Sequence, residues 1–268
     1  MIKLDGEPVQ FKQFNDKTLR LNLITDTSWS PLITWLYEND EELSRLYFLV
    51  KHLHSLRHKY ITLVLPYVPN ARLDRIKRQE ECFTLKYFCE FINSLNFAKV
   101  IIYDPHSYVS AALLNNVDVI SPIMELDAIL TEYSSATLFF CDEGGMKRYK
   151  DIIGDRYFAF GVKDREWSSQ KINSLQILGA KHMIAGHDIV ICDDILSRGS
   201  TLYLAAKQLK ELGAKNIYAW ISHTEDTVLQ PHLNGQSLLD IPDLITKIYT
   251  TNSIFHGSHD KIEIIKEF

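Results

Sequence analysis

The segment Ile189-Val190-Ile191-Cys192-Asp193-Asp194-Ile195-Leu196-Ser197-Arg198-Gly199-Ser200-Thr201 brings several kinds of chemistry close together. An apolar run of strand character leads into two adjacent carboxylates. A short turn with a glycine and hydroxyls then opens a helical stretch. Small residues let backbone N–H groups approach an anion, the start of a helix adds positive potential, and Ser200 and Thr201 add hydroxyl donors. Asp193 and Asp194 suit ribose hydroxyls or waters around Mg2+. Taken alone, the pattern also fits a strand followed by an acidic, capped helix start.

Other chemistry-bearing residues are scattered through the chain. Arg72 and Arg75 lie at i and i+3, so on a turn or helix they face one side and suit a triphosphate, with Lys77 and Arg78 extending the basic run. The bland alternative is a solvated basic face. His106 follows Asp104 after an apolar run; it suits a metal ion or a phosphate oxygen, or a structural hydrogen bond. Asp142 precedes Gly144-Gly145, which is either a simple turn or a close backbone approach to phosphate. Lys163 and Arg165 end an apolar run ahead of the polar stretch Glu166-Trp167-Ser168-Ser169-Gln170; in isolation they read as surface charges. His52, His54, His58 and His182 have no metal-ligand spacing and read as surface or structural. None of the four cysteines forms a CxxC pair.

Elements must position these groups. Runs of strand length lie at 19–24, 60–66, 99–104, 136–142, 157–162, 188–193 and 216–222, and helix-period stretches at 39–56, 83–95 and 199–212. Such alternation predicts an α/β fold with a mainly parallel sheet. Continuous runs such as 189–192 suit strands covered on both faces. The 268 residues suffice for one large domain or two smaller ones, without disulfide staples. Hydrophobic residues at 46% and charged residues at 24% exclude disorder, collagen and coiled coil as the main architecture. A net charge of −5 argues against a nucleic-acid partner. No apolar run reaches 18 residues, so no membrane partner is expected, and the N-terminal residues have no signal-peptide core, which predicts a cytoplasmic protein.

The Asp193–Thr201 segment resembles the signature loop of type I phosphoribosyltransferases, two acidic residues and then a Thr-Gly-Gly-Thr-like turn. GxxxxGK[ST] and GxGxxG loops are missing. Further motifs resemble the ribose-phosphate diphosphokinase (PRPP synthetase) branch of that fold. Pro66-Tyr67-Val68-Pro69-Asn70-Ala71-Arg72-Leu73-Asp74-Arg75 is similar to its Pro-Tyr-x-x-x-Ala-Arg-Gln-Asp-Arg stretch. Thr84-Leu85-Lys86 falls where the family has Thr-Ala-Lys, and Asp104-Pro105-His106-Ser107 resembles its Asp-Leu-His-Ala. Asp142-Glu143-Gly144-Gly145 resembles Asp-x-Gly-Gly, Lys163-Asp164-Arg165 falls at the catalytic-loop Lys-Arg-Arg, and Asp5-Gly6-Glu7 resembles Asp-Gly-Glu. These occur in family order over nearly the whole chain.

The resemblance implies an α/β fold of two tandem phosphoribosyltransferase-like domains, each a mainly parallel sheet flanked by helices, at 1–126 and 127–268. It implies transfer of the β,γ-diphosphoryl group of ATP to the C1 hydroxyl of ribose 5-phosphate, with Mg2+. Asp5, Glu7, Arg72, Asp74, Arg75 and His106 would bind ATP, His106 and Asp142 the metal. Asp193, Asp194, Ser197, Arg198, Gly199, Ser200 and Thr201 would bind ribose and its 5-phosphate. Lys163 and Arg165 would stabilise the moving group from a loop, mobile without ligand, spanning 162–172. A homo-oligomer is implied, since relatives assemble sites across subunits.

Three departures qualify this. The chain starts at the Asp-Gly-Glu motif and stops early, and Lys3 stands where the family has an adenine-stacking Phe. Residues 28–38 look like an insertion. Ser197-Arg198-Gly199-Ser200-Thr201 replaces Asp-Thr-Gly-Gly-Thr, losing an acid and gaining a base at the 5-phosphate pocket. That swap suits a more anionic acceptor, ADP-ribose, giving ADP-ribose 1-pyrophosphate. A phosphoribosyltransferase and a non-catalytic regulatory homologue are weaker alternatives: the first has no use for Arg72, Arg75 and His106, and the second would be expected to lose Lys163, Arg165 or the acidic pair.

Overall fold

The computed structural model describes residues 1–22, 27–76, 78–149, 153–165, 172–233 and 235–268. The chain divides into two compact units, Met1–Ser121 with Phe268, and Pro122–Glu267. The division falls just before a helix, Ile123–Glu132, that a boundary at 126/127 would cut.

The first unit contains β1 (Ile2–Leu4), β2 (Glu7–Pro8), β3 (Phe11–Gln13), β4 (Leu19–Leu21), β5 (Leu32–Trp35), α1 (Glu42–Ser55), β6 (Thr62–Leu65), α2 (Thr84–Ser94), β7 (Lys99–Tyr103), α3 (Val109–Leu113) and β8 (Val117–Ile120). Its main sheet has the order β2-β1-β5-β6-β7-β8. β5 through β8 run parallel, while β1 is antiparallel to its neighbours. β6 alternates half-buried and buried positions, so one face of the sheet is the better covered. Ile33, Leu63, Leu65, Val100 and Ile102 meet Leu46, Leu49, Val50, Leu53, Leu85 and Ile92 there. Those α1 positions repeat at three and four residues, which puts them on one stripe. Glu42, in the first turn of α1, is buried, but its carboxylate accepts from Trp35 Nε1 (2.8 Å) and Glu38 N (2.9 Å).

Two expectations fail here. The run 19–24 is not a strand of the parallel sheet: β4 pairs only with β3, in a separate two-stranded ribbon, and residues 23–26 lie outside the described residues. The segment 28–38, expected as an insertion, supplies β5, whose Ile33 and Trp35 are fully buried in the core.

The second unit contains α4 (Ile123–Glu132), β9 (Thr137–Phe140), α5 (Glu143–Arg148), β10 (Phe158–Arg165), β11 (Ile172–Gly179), β12 (Ile189–Leu196), α6 (Ser200–Glu211), β13 (Ile217–Thr224), β14 (Lys247–Thr251) and β15 (Ile262–Lys266). Its sheet runs β11-β10-β9-β12-β13-β14-β15, parallel except for the β10–β11 hairpin. Ile189 and Ile191 pack with α6 residues Leu202, Ala205, Ala206 and Leu209. Val190 and Cys192 point the other way, onto Leu126, Ile129, Leu130 and Tyr149. A strand buried on both faces has no polar alternation, which is why it reads as a continuous apolar run. All four cysteines are free thiols; only Cys82 is exposed.

Candidate functional site

In the second unit the candidate residues Asp142, Asp193 and Asp194 lie at the carboxyl ends of parallel strands. β12 does not stop at Cys192, where its pairing with β9 ends; it continues beside β13 to Leu196. The strand therefore runs beyond the expected 188–193 to include Asp194, Ile195 and Leu196, and the loop proper is only Ser197–Gly199. Asp194 is buried, with its Oδ2 3.3 Å from Arg148 Nη1. Asp193 is half-buried. Burial pushes its carboxyl well above the usual carboxylate range, and the charge and hydrogen bond of Asp194, with Asp142 nearby, add to that.

Gly199 has φ +85°, and a Cβ there would meet Leu238 Cδ2 at 2.7 Å. Only glycine satisfies both the left-handed backbone and the close packing of the fully buried Leu238. α6 begins at the next residue. Ser200 Oγ lies 3.1 Å from His232 Nε2. Ser197 Oγ donates to Glu225 Oε2 at 2.6 Å. Arg198 is exposed and has no ion pair with a described residue. Thr201 lies in the first turn of α6 and is half-buried.

Asp142 ends the segment after β9 and caps α5, its Oδ1 accepting from Gly145 N at 3.0 Å. Gly144 and Gly145 thus form a helix start. Lys163 and Arg165 lie on β10, in register with Leu175 and Ile172 of β11, with a register shift between Asp164 and Arg165. Most of the expected mobile loop, residues 166–171, lies outside the described residues.

In the first unit, the segment after β6 is an irregular turn. Val68 and Ala71 anchor it in the core, and Asn70 takes a left-handed φ of +62° that Asn tolerates. This leaves Arg72 and Arg75 exposed, on a turn and not a helix. Asp74 is shielded and binds Arg75 Nε at 2.9 Å. Burial works to raise its carboxyl, but hydrogen bonds from Arg75 and Ser107 and the charges of Arg75 and His106 hold it below the usual range. The fold therefore brings the 66–75 and 104–107 motifs together. Asp104, buried at the end of β7, has φ +36°, a strained value for a residue other than glycine.

Asp5 lies just after β1 and is engaged within the first unit. Its carboxylate accepts from Ser28 N (3.0 Å), Ser28 Oγ (3.2 Å) and Leu32 N (2.8 Å), pinning the entry to β5. Glu7 is exposed on the edge strand β2. Lys3 Nζ donates to Phe268 O at 2.6 Å. His54 holds the His58 and Leu95 carbonyls, a structural role.

Sequence patterns missed the polar end of β13 and β14. His223 Nδ1 lies 2.9 Å from Ser253 Oγ, Thr250 donates to Thr224, and Thr251 donates to the Ser222 carbonyl, all buried. The only local signal was a run of hydroxyl residues, which threonine-rich strands also show.

Among the described residues no group of three or more His, Cys, Asp or Glu is arranged to hold a metal ion, and no helix is long and apolar enough to cross a membrane.

The phosphoribosyl transferase domain family matches residues 156–232, the stretch that contains β10 to β13. The ribose-phosphate pyrophosphokinase of Bacillus subtilis (strain 168) is 28% identical over 237 residues, covering 85% of this chain and 70% of its own length. That of Ureaplasma parvum serovar 3 is 25% identical over 287 residues, covering 99% of this chain and 82% of its own length. The chain is a homologue of the ribose-phosphate pyrophosphokinases. The crystal structure of phosphoribosylpyrophosphate synthetase from Mycobacterium smegmatis superposes with a TM-score of 0.76 at 18% identity, over 96% of this chain and 85% of that one. The fold is accordingly that of the pyrophosphokinase family, two tandem phosphoribosyltransferase-like domains, and β5, which looked like an insertion in the sequence, is a core strand of the first.

Proposed function

We propose that the protein is a ribose-phosphate diphosphokinase-type transferase that moves the β,γ-diphosphoryl group of ATP to the C1 hydroxyl of ribose 5-phosphate, giving PRPP and AMP. The observation that carries this is the acidic pair Asp193–Asp194 on a strand end, running through a left-handed Gly199 into a helix, in a homologue of ribose-phosphate pyrophosphokinases. The O1–Pβ bond forms as the bond from Pβ to the α-phosphate oxygen breaks. Such transfers depend mainly on positioning and charge neutralisation.

Asp193 and Asp194 orient the ribose hydroxyls; a carboxyl raised by crowding gains from donors that approach it. The backbone of Gly199–Thr201 and the Thr201 hydroxyl receive the 5-phosphate at the start of α6. Arg72, Arg75 and His106 bind the phosphates of ATP, with Asp74 orienting Arg75. Lys163 and Arg165 offset charge that develops on the transferred group.

Mg2+ would supply charge neutralisation for the phosphates. The chain fits it through the crowding of Asp142, Asp193 and Asp194, which a divalent cation relieves. Among the described residues no three-residue cage exists, and Asp142 and His106, one in each unit, are separate candidates for holding Mg2+. A cytoplasmic homo-oligomer is part of this reading, and light scattering of the purified protein tests the oligomer.

A second reading keeps the chemistry and changes the acceptor to ADP-ribose. Exposed Arg198 favours it, at the turn that would meet the 5-substituent. Incubation with Mg-ATP and either ribose 5-phosphate or ADP-ribose, following AMP, tests both. A phosphoribosyltransferase would instead release pyrophosphate from PRPP and a base, and a regulatory homologue would do neither.

A further inference from the structure

Glu225 follows β13 and lies beside the Ser197–Gly199 turn, although 28 residues separate it from Ser197. Its N–H donates to the Leu196 carbonyl at 2.7 Å, which carries the β12–β13 pairing one step further. Its carboxylate Oε2 accepts from Ser197 Oγ at 2.6 Å and from Thr227 Oγ1 at 3.0 Å. A serine hydroxyl has one proton. In this arrangement Ser197 gives that proton to Glu225, which ties the turn to the end of the neighbouring strand. The 197–201 turn has no carboxylate of its own, and Glu225 brings one to it from the neighbouring strand. The half-buried charge is matched by two hydroxyl donors, and the short contact has the length of a charge-assisted bond.

We propose that Glu225 is the positioning residue of the acceptor turn. Through Ser197 it fixes where the chain leaves β12, and so where Gly199 and the first N–H groups of α6 meet the sugar's 5-substituent. This rests on the reading of that turn as the acceptor site.

The test is steady-state kinetics on the full chain with Mg-ATP and ribose 5-phosphate or ADP-ribose, alongside calorimetric binding of each sugar and thermal melting. Glu225→Ala and Ser197→Ala should each raise the acceptor KM about 10-fold, and the double variant no further, because the Ser197–Glu225 contact is lost in all three. kcat and the KM for ATP should stay within about twofold, and Glu225→Gln, whose amide oxygen accepts the same hydroxyls, should recover most of the affinity. Should Glu225→Ala not fold, Ser197→Ala set against Glu225→Gln makes the same comparison. A wild-type acceptor KM in the alanine variants overturns the proposal. So does a loss in which both KM values, kcat and melting temperature move together, which would mark a purely structural contact. If the wild-type protein binds neither sugar, the acceptor-site reading falls and this proposal with it. If wild type binds and both alanine variants bind equally well, only this proposal falls.

Discussion

Two carboxylates at the ends of the two parallel sheets are shifted in opposite directions. Asp74, in the first unit, is held below the usual range despite burial, because Arg75 and Ser107 donate to it. Asp193, in the second, is pushed up by burial and by Asp194 beside it. The first edge matches its acid with cations and donors, and Arg72 and Arg75 are exposed on its turn. The second edge concentrates negative charge, with Arg148 beside Asp194. The first suits an anion such as a polyphosphate, the second a hydroxyl-rich ligand or a cation. Under the proposed function, the phosphates of ATP would fall to the first edge and the sugar to the second, and this contrast of charge is in keeping with that reading.

The largest effect that would break this comparison is at Asp194. Asp194→Ala should lower AMP release by roughly 10²–10³-fold, since a misoriented acceptor loses most of the benefit of positioning. Circular dichroism should show the fold retained. Near-normal turnover would remove the acidic pair from the mechanism. Next is Lys163→Ala, expected to lower kcat by roughly 10²-fold with a smaller change in the KM for ATP. A change in KM alone would make Lys163 a binding group and move the charge stabilisation elsewhere.

How far these roles were legible depended on what covers each strand. β9, β12 and β13 are buried on both faces and appear as unbroken apolar runs, so their place was readable to within a few residues. The far end of β12 was not: Asp194, Ile195 and Leu196 fell beyond the expected strand because nothing local tells that β13 continues beside them to Thr224. β5 was misread because Pro31-Leu32-Ile33-Thr34-Trp35 is short and mixed, and its burial comes from β1 and β6. β14 was missed because Thr250 and Thr251 are polar, yet buried with side-chain partners on β13. The acceptor turn itself was visible as a pattern, while Glu225, just after β13, and His232, in the irregular segment beyond it, touch the turn and carry no local signal.

Stability against pH sharpens the comparison, because the two edges predict opposite signs. Asp74 has a lowered value, so its contribution is complete above the ordinary carboxylate range and fades as pH falls through its folded value. Asp74→Asn should therefore melt below wild type at pH 7, the gap closing below about pH 4. Asp193 has a raised value, so its penalty grows as pH rises above the ordinary range. Asp193→Asn should melt above wild type at pH 7 and match it below about pH 4. Each kcal/mol corresponds to about 2–4 °C for a chain of this size, so scanning calorimetry in a chelator resolves both. Shifts of the same sign would erase the contrast between the two edges.

The smallest expected effect decides the acceptor. Relative to an Asp-Thr-Gly-Gly-Thr turn, Ser197 removes an acid and Arg198 adds a base, which by sequence counts as two extra positive charges. The structure returns one negative charge, because the Glu225 carboxylate lies 2.6 Å from Ser197 Oγ. What remains is the single charge of Arg198, on an exposed side chain without an ion pair to a described residue. An exposed charge pair contributes about 0.2–1 kcal/mol, so its preference for a second phosphate is at most about 5-fold. Arg198→Thr should lower kcat/KM for ADP-ribose more than for ribose 5-phosphate by about 2- to 5-fold, and about 0.5 M salt should remove most of that difference by screening. Measuring both acceptors in both proteins at two salt concentrations reads this out. An unchanged ratio at low salt would leave Arg198 pointing only to solvent and would sink the extended-acceptor reading of this residue.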